Sequence, residues 1–328
     1  MRPGNILGAA VTLLCGFLLS GGAAEAAEIQ GTISTTLVIF EDSKLVGDVI
    51  CTTTDSPCLE FGASHIKLRL NGFTMTGPAN PPDNCRPNSG PPFADAIVAV
   101  DKEHIQILGP GLVQKFSRHG VFVVRGTQVT LKHLTSHHNC FSGLLMNELR
   151  DSKIEENVSA RNAIASGSTP CGGNCLVNSH NNRIRRNEFS GNGSAVSPAG
   201  PAGSDFGVGL LFGSSGNVLE ENGIGGNVNG ILLHPTAVGN VIRRNVIAGN
   251  PPIQVAATFG PAVGADIHDL SPAGANTFDE NLCITYLGAG PAPCPNIPKF
   301  AGHRNNSKGS KGGGDGDDDD DDSDDDDE

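Results

Sequence analysis

The chain has no Trp, a single Tyr (Tyr286), three Met and only 5% aromatic residues in its 328 positions. Extended stacking platforms of the kind that hold bases or long sugar chains are therefore not available in quantity. Lys and Arg number 22, too few and too scattered for the basic face that phosphate recognition requires, which excludes nucleic acid as a partner. Apolar runs are scarce as well. The longest, residues 6–19, falls short of the ~20 residues that span a bilayer.

That run follows Arg2 and precedes Ala24-Glu25-Ala26, the charged start, apolar middle and small-residue cleavage site of an export signal. Residues 1–26 are read as the signal, so the mature chain is expected to be secreted or periplasmic with no transmembrane segment after cleavage. Cys15 leaves with the leader. The remaining eight, Cys51, Cys58, Cys85, Cys140, Cys171, Cys175, Cys283 and Cys294, suit an oxidising compartment, although many pairings of eight are possible. Closeness in sequence favours Cys51 with Cys58, Cys171 with Cys175 and Cys283 with Cys294, leaving Cys85 for Cys140. Reading Cys171-Gly-Gly-Asn-Cys175 as half a zinc site would need a second Cys or His pair at matching spacing, which the sequence lacks.

The net charge of −13 misdescribes the body of the protein. Residues 313–328 hold eleven Asp and one Glu without a base, and Arg2 offsets Glu25, so the residues between are close to neutral. An Asp run behind a Gly, Ser and Lys linker has no apolar surface to bury and repels itself, so residues 307–328 read as a disordered acidic tail. Carboxylate oxygens are hard ligands. Ca²⁺ is thus the one cofactor suggested, with Asp317, Asp318, Asp319 and Asp320 as candidate ligands.

What the sequence does have is an internal repeat. Ile154-Glu155-Glu156-Asn157, Ile184-Arg185-Arg186-Asn187, Leu219-Glu220-Glu221-Asn222, Ile242-Arg243-Arg244-Asn245 and Phe278-Asp279-Glu280-Asn281 share one template. The first four are followed by a second Asn five positions on, at Asn162, Asn192, Asn227 and Asn250, and Leu131-Lys132-His133-Leu134 with Asn139 is an earlier variant. Positions 131 and 154, like 219 and 242, lie one period apart, and the wider gaps are a period plus an insertion. A second mark recurs at Gly120-Val121, Gly143-Leu144, Gly209-Leu210 and Gly230-Ile231. A short period with β-rich stretches and turn residues, but no helical pattern, predicts a β-solenoid whose coils pair in parallel ~4.8 Å apart over residues 27–306.

The columns of this repeat have physical uses. Asn at a turn adopts left-handed geometry readily, and its amide can bond the Asn of the next coil, giving a structural ladder. The pairs before the ladder Asn alternate in sign from coil to coil, which predicts a register-fixing charge ladder rather than a substrate cleft. Insertions at residues 163–174, 193–207 and 251–274, joined by residues 77–94, gather at one corner, where repeat proteins tend to carry function.

These segments, with the opening Ile66-Lys67-Leu68-Arg69-Leu70-Asn71-Gly72-Phe73, make residues 46–283 resemble the right-handed parallel β-helix proteins of the pectin-lyase-like superfamily. The resemblance implies an all-β fold and a choice of functions, because the superfamily includes pectate lyases, polygalacturonases, alginate epimerases, copper-associated NosD-like periplasmic proteins and adhesins. Asp266-Ile267-His268-Asp269 resembles the Asp-Pro-His-Asp motif of mannuronan epimerases, with Ile267 in place of Pro. On that resemblance His268 would be general base or acid, and Asp266 and Asp269 would orient it or bind substrate. Clustered carboxylates for hydrolysis are missing from the coils. His133, His137 and His138 raise a copper reading, which Met75 and Met146 alone support poorly.

Two readings follow. The first is a non-catalytic surface or glycan-binding role, its partner an extracellular polysaccharide or a mineral or cell surface. The second is a polysaccharide-active enzyme, a uronan epimerase or lyase centred on Asp266, His268 and Asp269.

Overall fold

The computed structural model describes residues 25–79, 85, 94–163, 172–193, 206–250, 255–257, 260–262 and 265–295. Its regular elements are strands, which wind into a right-handed parallel β-helix with three faces. The first face carries Lys153–Glu155, Arg183–Arg185, Val218–Glu220, Val241–Arg243 and Thr277–Asp279, and the second carries Val158–Ala160, Glu188–Ser190, Gly223–Gly225, Val246–Ala248 and Leu282–Cys283. In earlier coils single long strands, Gln106–Gln114 and Thr130–His137, run across both faces. The third face is a ten-stranded parallel sheet from Leu37–Ile39 to Tyr286–Gly288. Among the described residues no helix is long and apolar enough to cross a membrane.

The register of the first face is the repeat itself. Leu131, Ile154, Ile184, Leu219, Ile242 and Phe278 are successive partners and point inward; all but Phe278 are fully buried in one continuous core. Their neighbours Lys132, Glu155, Arg185, Glu220, Arg243 and Asp279 stack outside. Sign alternation becomes ion pairing: Arg185 and Arg243 lie 3.3 and 2.6 Å from Glu220, Arg185 and Arg186 lie 3.0 and 2.8 Å from Glu221, and Lys132 lies 3.3 Å from Glu156. Arg183 also pairs with Glu220. Burial alone would raise the Glu220 carboxyl, but the hydrogen bonds and charges of Arg183 and Arg243 outweigh it and draw it down to about 2.

Asparagine ladders hold the corners. In the first, the side-chain amides of Asn157, Asn187, Asn222 and Asn245 each donate to the carbonyl oxygen of the next, at 2.9–3.0 Å, ending on Asn281. A second runs from Asn139 through Asn162, Asn192 and Asn227 to Asn250. A third, from Asn182 through Asn217 and Asn240 to Asn276, was not anticipated. These side chains are buried, and the amides also bond backbone carbonyls, as Asn222 does to Ile184 at 2.9 Å. A buried amide fully bonded in this way is favourable, whereas an orphaned one is costly.

One expectation is corrected here. The left-handed residue at the corner is not the ladder Asn but the charged residue before it: Glu156, Arg186, Glu221, Arg244 and Glu280, and His133 before Leu134 in the earlier variant, have φ between 51° and 57°. The amide must point into the turn to meet the backbone of adjacent coils, so the outward kink falls to the preceding residue, whose long side chain reaches solvent and the charge ladder. A second correction concerns Gly209. The corner glycines that align with Gly120, Gly143 and Gly230 are Gly173 and Gly207, because Val208 partners Ile231 while Gly209 partners Leu232. A Cβ on Gly120 would collide with the Ser136 hydroxyl, since the inner ladder passes close to the chain there. Gly209 instead lies outward beneath the Phe206 ring.

Cys51–Cys58, Cys85–Cys140 and Cys283–Cys294 are disulfides. Cys175 is disulfide-bonded too; Cys171 lies outside the described residues, as do residues 1–24 of the expected leader and residues 296–328 with Asp317, Asp318, Asp319 and Asp320.

Candidate functional site

Strand Ile267–Asp269 is the ninth of the third face, between Asn229–Leu233 and Tyr286–Gly288. Pleating sends its residues to opposite sides. Ile267 enters the core, His268 stacks outside between Leu232 and Leu287, and Asp269 continues the inward column of Leu233. Asp266 sits at the corner before the strand. The structure therefore divides the three residues instead of gathering them around one reacting atom.

Both carboxylates end ladders. The fifth repeat lacks the second Asn, and Asp266 takes its place: it accepts the Asn250 amide at 2.9 Å and the N–H groups of Ile284 and Thr285 at 2.7 and 3.1 Å. Asp269 closes the third ladder. Asn276 donates to the Ser271 hydroxyl at 2.8 Å, Ser271 donates to Asp269 through its hydroxyl at 2.5 Å and its N–H at 3.0 Å, and the Tyr286 hydroxyl lies 3.5 Å away. His268 makes no hydrogen bond among the described residues. Burial pulls its imidazole below the usual range, against the charge of Asp269, so it is neutral at pH 7.

Asp269 and the last described coil border a depression of about 360 Å³. Asp269, Asn276, Thr277, Phe278, Tyr286 and the wall from Gly290 to Pro293 line it, and the Cys283–Cys294 disulfide ties that wall to the last coil. Phe278 and Tyr286 occupy inward columns with no further coil among the described residues to cover them, and their rings, 6.1 Å apart and edge to face, are half-buried. Burial, reinforced by the Asp269 charge, raises the Tyr286 phenol, which stays a hydrogen-bond donor at neutral pH. The aromatic shortage of the whole chain is thus partly offset at one place, where the sole Tyr meets a Phe.

Sequence reasoning missed another cluster on the outer side of the third face. The N–H of His119 donates to Asp95 at 3.1 Å, Arg118 lies 3.4 Å from the other Asp95 oxygen, and His119 Nδ1 accepts from the Ser142 N–H at 3.2 Å. The imidazole packs on Phe122 and Phe141 at 5.4 and 5.8 Å. Burial pushes Asp95 up to about 6, against the opposing Arg118 charge and the His119 N–H, and burial with the Arg118 charge pushes His119 down to about 3. Such shifts often mark reactive groups. Both residues are under 5% exposed, however, and nothing as large as a sugar reaches them in this conformation. The signal lay in the residues just ahead of the corner glycines, which a coil-by-coil alignment places in one column.

The three histidines of the copper reading are not gathered. His133 lies 3.1 Å from Glu156 in the charge ladder, while His137 and His138 meet each other at 2.7 Å. Met75 and Met146 are fully buried in the core, away from any such site.

The family model described as right handed beta helix region matches residues 112–282, just over half of the chain. The chain belongs to the right-handed β-helix family. Solved structures agree on this β-helix. A double mutant of the periplasmic alginate epimerase AlgG is 11% identical over 78% of this chain and 65% of that one, with a TM-score of 0.50. Tailspike protein 2 from Escherichia coli O157:H7 bacteriophage CAB120 is 10% identical over 80% of this chain and 37% of that one, with a TM-score of 0.51. Identities this low establish a shared fold and nothing finer. No curated protein matches the sequence.

Proposed function

We propose that this β-helix binds a neutral glycan, without transforming it, in the depression at the C-terminal end of the solenoid. The observation that carries the reading is the lining itself: two aromatic rings offer apolar faces to a sugar's C–H groups, beside a carboxylate, an amide and a phenol that can meet hydroxyls. Electrostatics select the class of sugar. Asp269 is the ionisable acid in the lining, and it repels a uronate, while the arginines of the first face are engaged by Glu220 and Glu221. Asp266 and Asp269 hold backbone and ladder groups, roles that favour binding over proton transfer.

Titration calorimetry of the full secreted chain with neutral and uronate oligosaccharides tests this. Neutral oligosaccharides bind, and Tyr286→Ala and Asp269→Asn each weaken binding at least about tenfold. Preference for uronates, or binding indifferent to both substitutions, would refute the proposal. The second reading, a uronan epimerase or lyase, rests on His268, a neutral imidazole on an outer face with no hydrogen bond among the described residues. Unsaturated products absorbing in the ultraviolet or C5 inversion seen by NMR, lost in His268→Ala, would establish it in place of the first.

A further inference from the structure

At the corner between the third and first faces, each coil places one residue in the left-handed region: His65, His104, Gln128, Asp151 and Asn181 have φ of 63°, 54°, 54°, 48° and 58°. In that conformation the side chain projects from the corner, and coil stacking sets the projections side by side. The first two are histidines. Their rings lie parallel, 4.5 Å between centroids and 17° between planes, and Glu103 reaches His65 Nε2 at 3.3 Å.

We propose that His65, Glu103 and His104 form a binding site for a borderline divalent transition-metal ion of the Zn²⁺ class. One ligand atom from each of the three residues lies within 4.8 Å of the others. Ligands at ~2.0–2.2 Å around a tetrahedral ion stand roughly 3.4 Å apart. All three side chains are exposed, so rotation about their side-chain bonds closes the difference without moving backbone. The backbone beneath is fixed: His65 N–H donates to Glu103 O at 3.0 Å, His104 N–H donates to Thr127 O at 2.9 Å, and Glu103 N–H donates to the Ser64 hydroxyl at 3.0 Å. Two imidazoles and one carboxylate carry a single negative charge and suit Zn²⁺, Ni²⁺ or Cu²⁺. Ca²⁺ and Mg²⁺ want oxygen donors throughout, and Cu(I) wants sulfur. A fourth position stays open to water or to a ligand group.

The site is tested on the full secreted chain, disulfides intact and freed of metal, by calorimetric titration with Zn²⁺ and by electron paramagnetic resonance with Cu²⁺. One ion binds per chain above any weak background from the acidic tail, and the Cu²⁺ spectrum shows splitting from two equatorial nitrogens. His65→Ala and His104→Ala each weaken binding at least about tenfold, the double variant abolishes it, and Glu103→Gln falls between. Because these side chains are exposed, thermal melts confirm that each variant folds as the parent does. His133→Ala, at a histidine elsewhere on the surface, leaves affinity unchanged. Wild-type affinity in a folded His65→Ala, His104→Ala double variant, or loss of binding in His133→Ala, would overturn the assignment.

Discussion

Replacing Asn222 by Ala removes the centre of the first ladder, and the loss can be worked from its bonds. The Asn222 amide donates to Ile184 O and to Asn245, both at 2.9 Å, and its carbonyl oxygen accepts the N–H and the side-chain amide of Asn187 at 2.9 and 3.0 Å. Asn245 keeps the Asn222 N–H at 3.0 Å. The substitution thus orphans the Asn187 N–H and one Asn187 amide hydrogen, and takes from Ile184 O one of its two donors, the other being the Glu220 N–H of the parallel ladder, at a position 1% exposed. Each buried orphan costs about 1–3 kcal/mol. A water entering the vacated space satisfies some of them, so the net loss is about 3–5 kcal/mol, against a whole-domain stability of ~5–15 kcal/mol. Thermal denaturation followed by circular dichroism should show a melting temperature lower by about 8–15 °C, and exchange of the Asn187 amide proton should accelerate more than that of distant coils. Glu221→Gln is the control: it breaks partly exposed ion pairs and costs no more than about 1 kcal/mol. A loss below about 1 kcal/mol in Asn222→Ala would refute the view that the ladder, more than the charge pairs, holds the coils in register.

The ionisable groups give pH signatures. Glu220, drawn down to about 2 from 4.5, stabilises the fold fully above pH 4.5, and that contribution is lost as pH falls toward 2; in Glu220→Gln, which costs about 1–3 kcal/mol at pH 7, urea melts show this acid-limb slope flattened. Asp95, raised to about 6 from 3.8, makes stability fall as pH rises between those values, while His119, lowered to about 3 from 6.5, makes it fall as pH drops through the same range. The two slopes oppose each other, so Asp95→Asn should give stability that rises with pH between 4 and 6 relative to the parent, and His119→Gln the reverse; matching slopes in the two variants would contradict the assigned shifts. Gly288→Ala puts a Cβ 2.6 Å from Tyr286 Cζ and displaces the ring from the end depression, so calorimetry should show weakened glycan binding while the melting temperature moves by only a few degrees.

Much of the fold was legible along the chain because a solenoid translates sequence period directly into stacking. The template aliphatics became the core column, the second Asn became the second ladder, and alternating charge pairs became ion pairs, since parallel register sets equivalent positions one above the other. The third ladder was equally legible. Ser152, Asn182, Asn217, Asn240 and Asn276 each stand two places before the template aliphatic, and the column went unseen only because the template was begun at that aliphatic. Gly209 was misread for a different reason: an insertion shifts the count between coils, and hydrogen-bond register, not the Gly itself, decides which glycine is at the corner.

By itself the sequence determined the architecture, its coil boundaries and its charge register, and it favoured the pairings Cys51–Cys58, Cys85–Cys140 and Cys283–Cys294 that the structure shows. These depend on periodicity or proximity along the chain, except Cys85–Cys140, 55 residues apart, which was left once the nearer pairs were made. Tertiary structure alone showed where the Asp266-Ile267-His268-Asp269 side chains go, because pleating and the ends of two ladders give neighbours in sequence different surroundings. It also brought His65 beside His104 across the insertion at residues 77–94, whereas Asp95 and His119, 24 residues apart, stand one period from each other. Contacts between coils depend on where the chain returns to the stack, and insertion length conceals that from any reading along a single period.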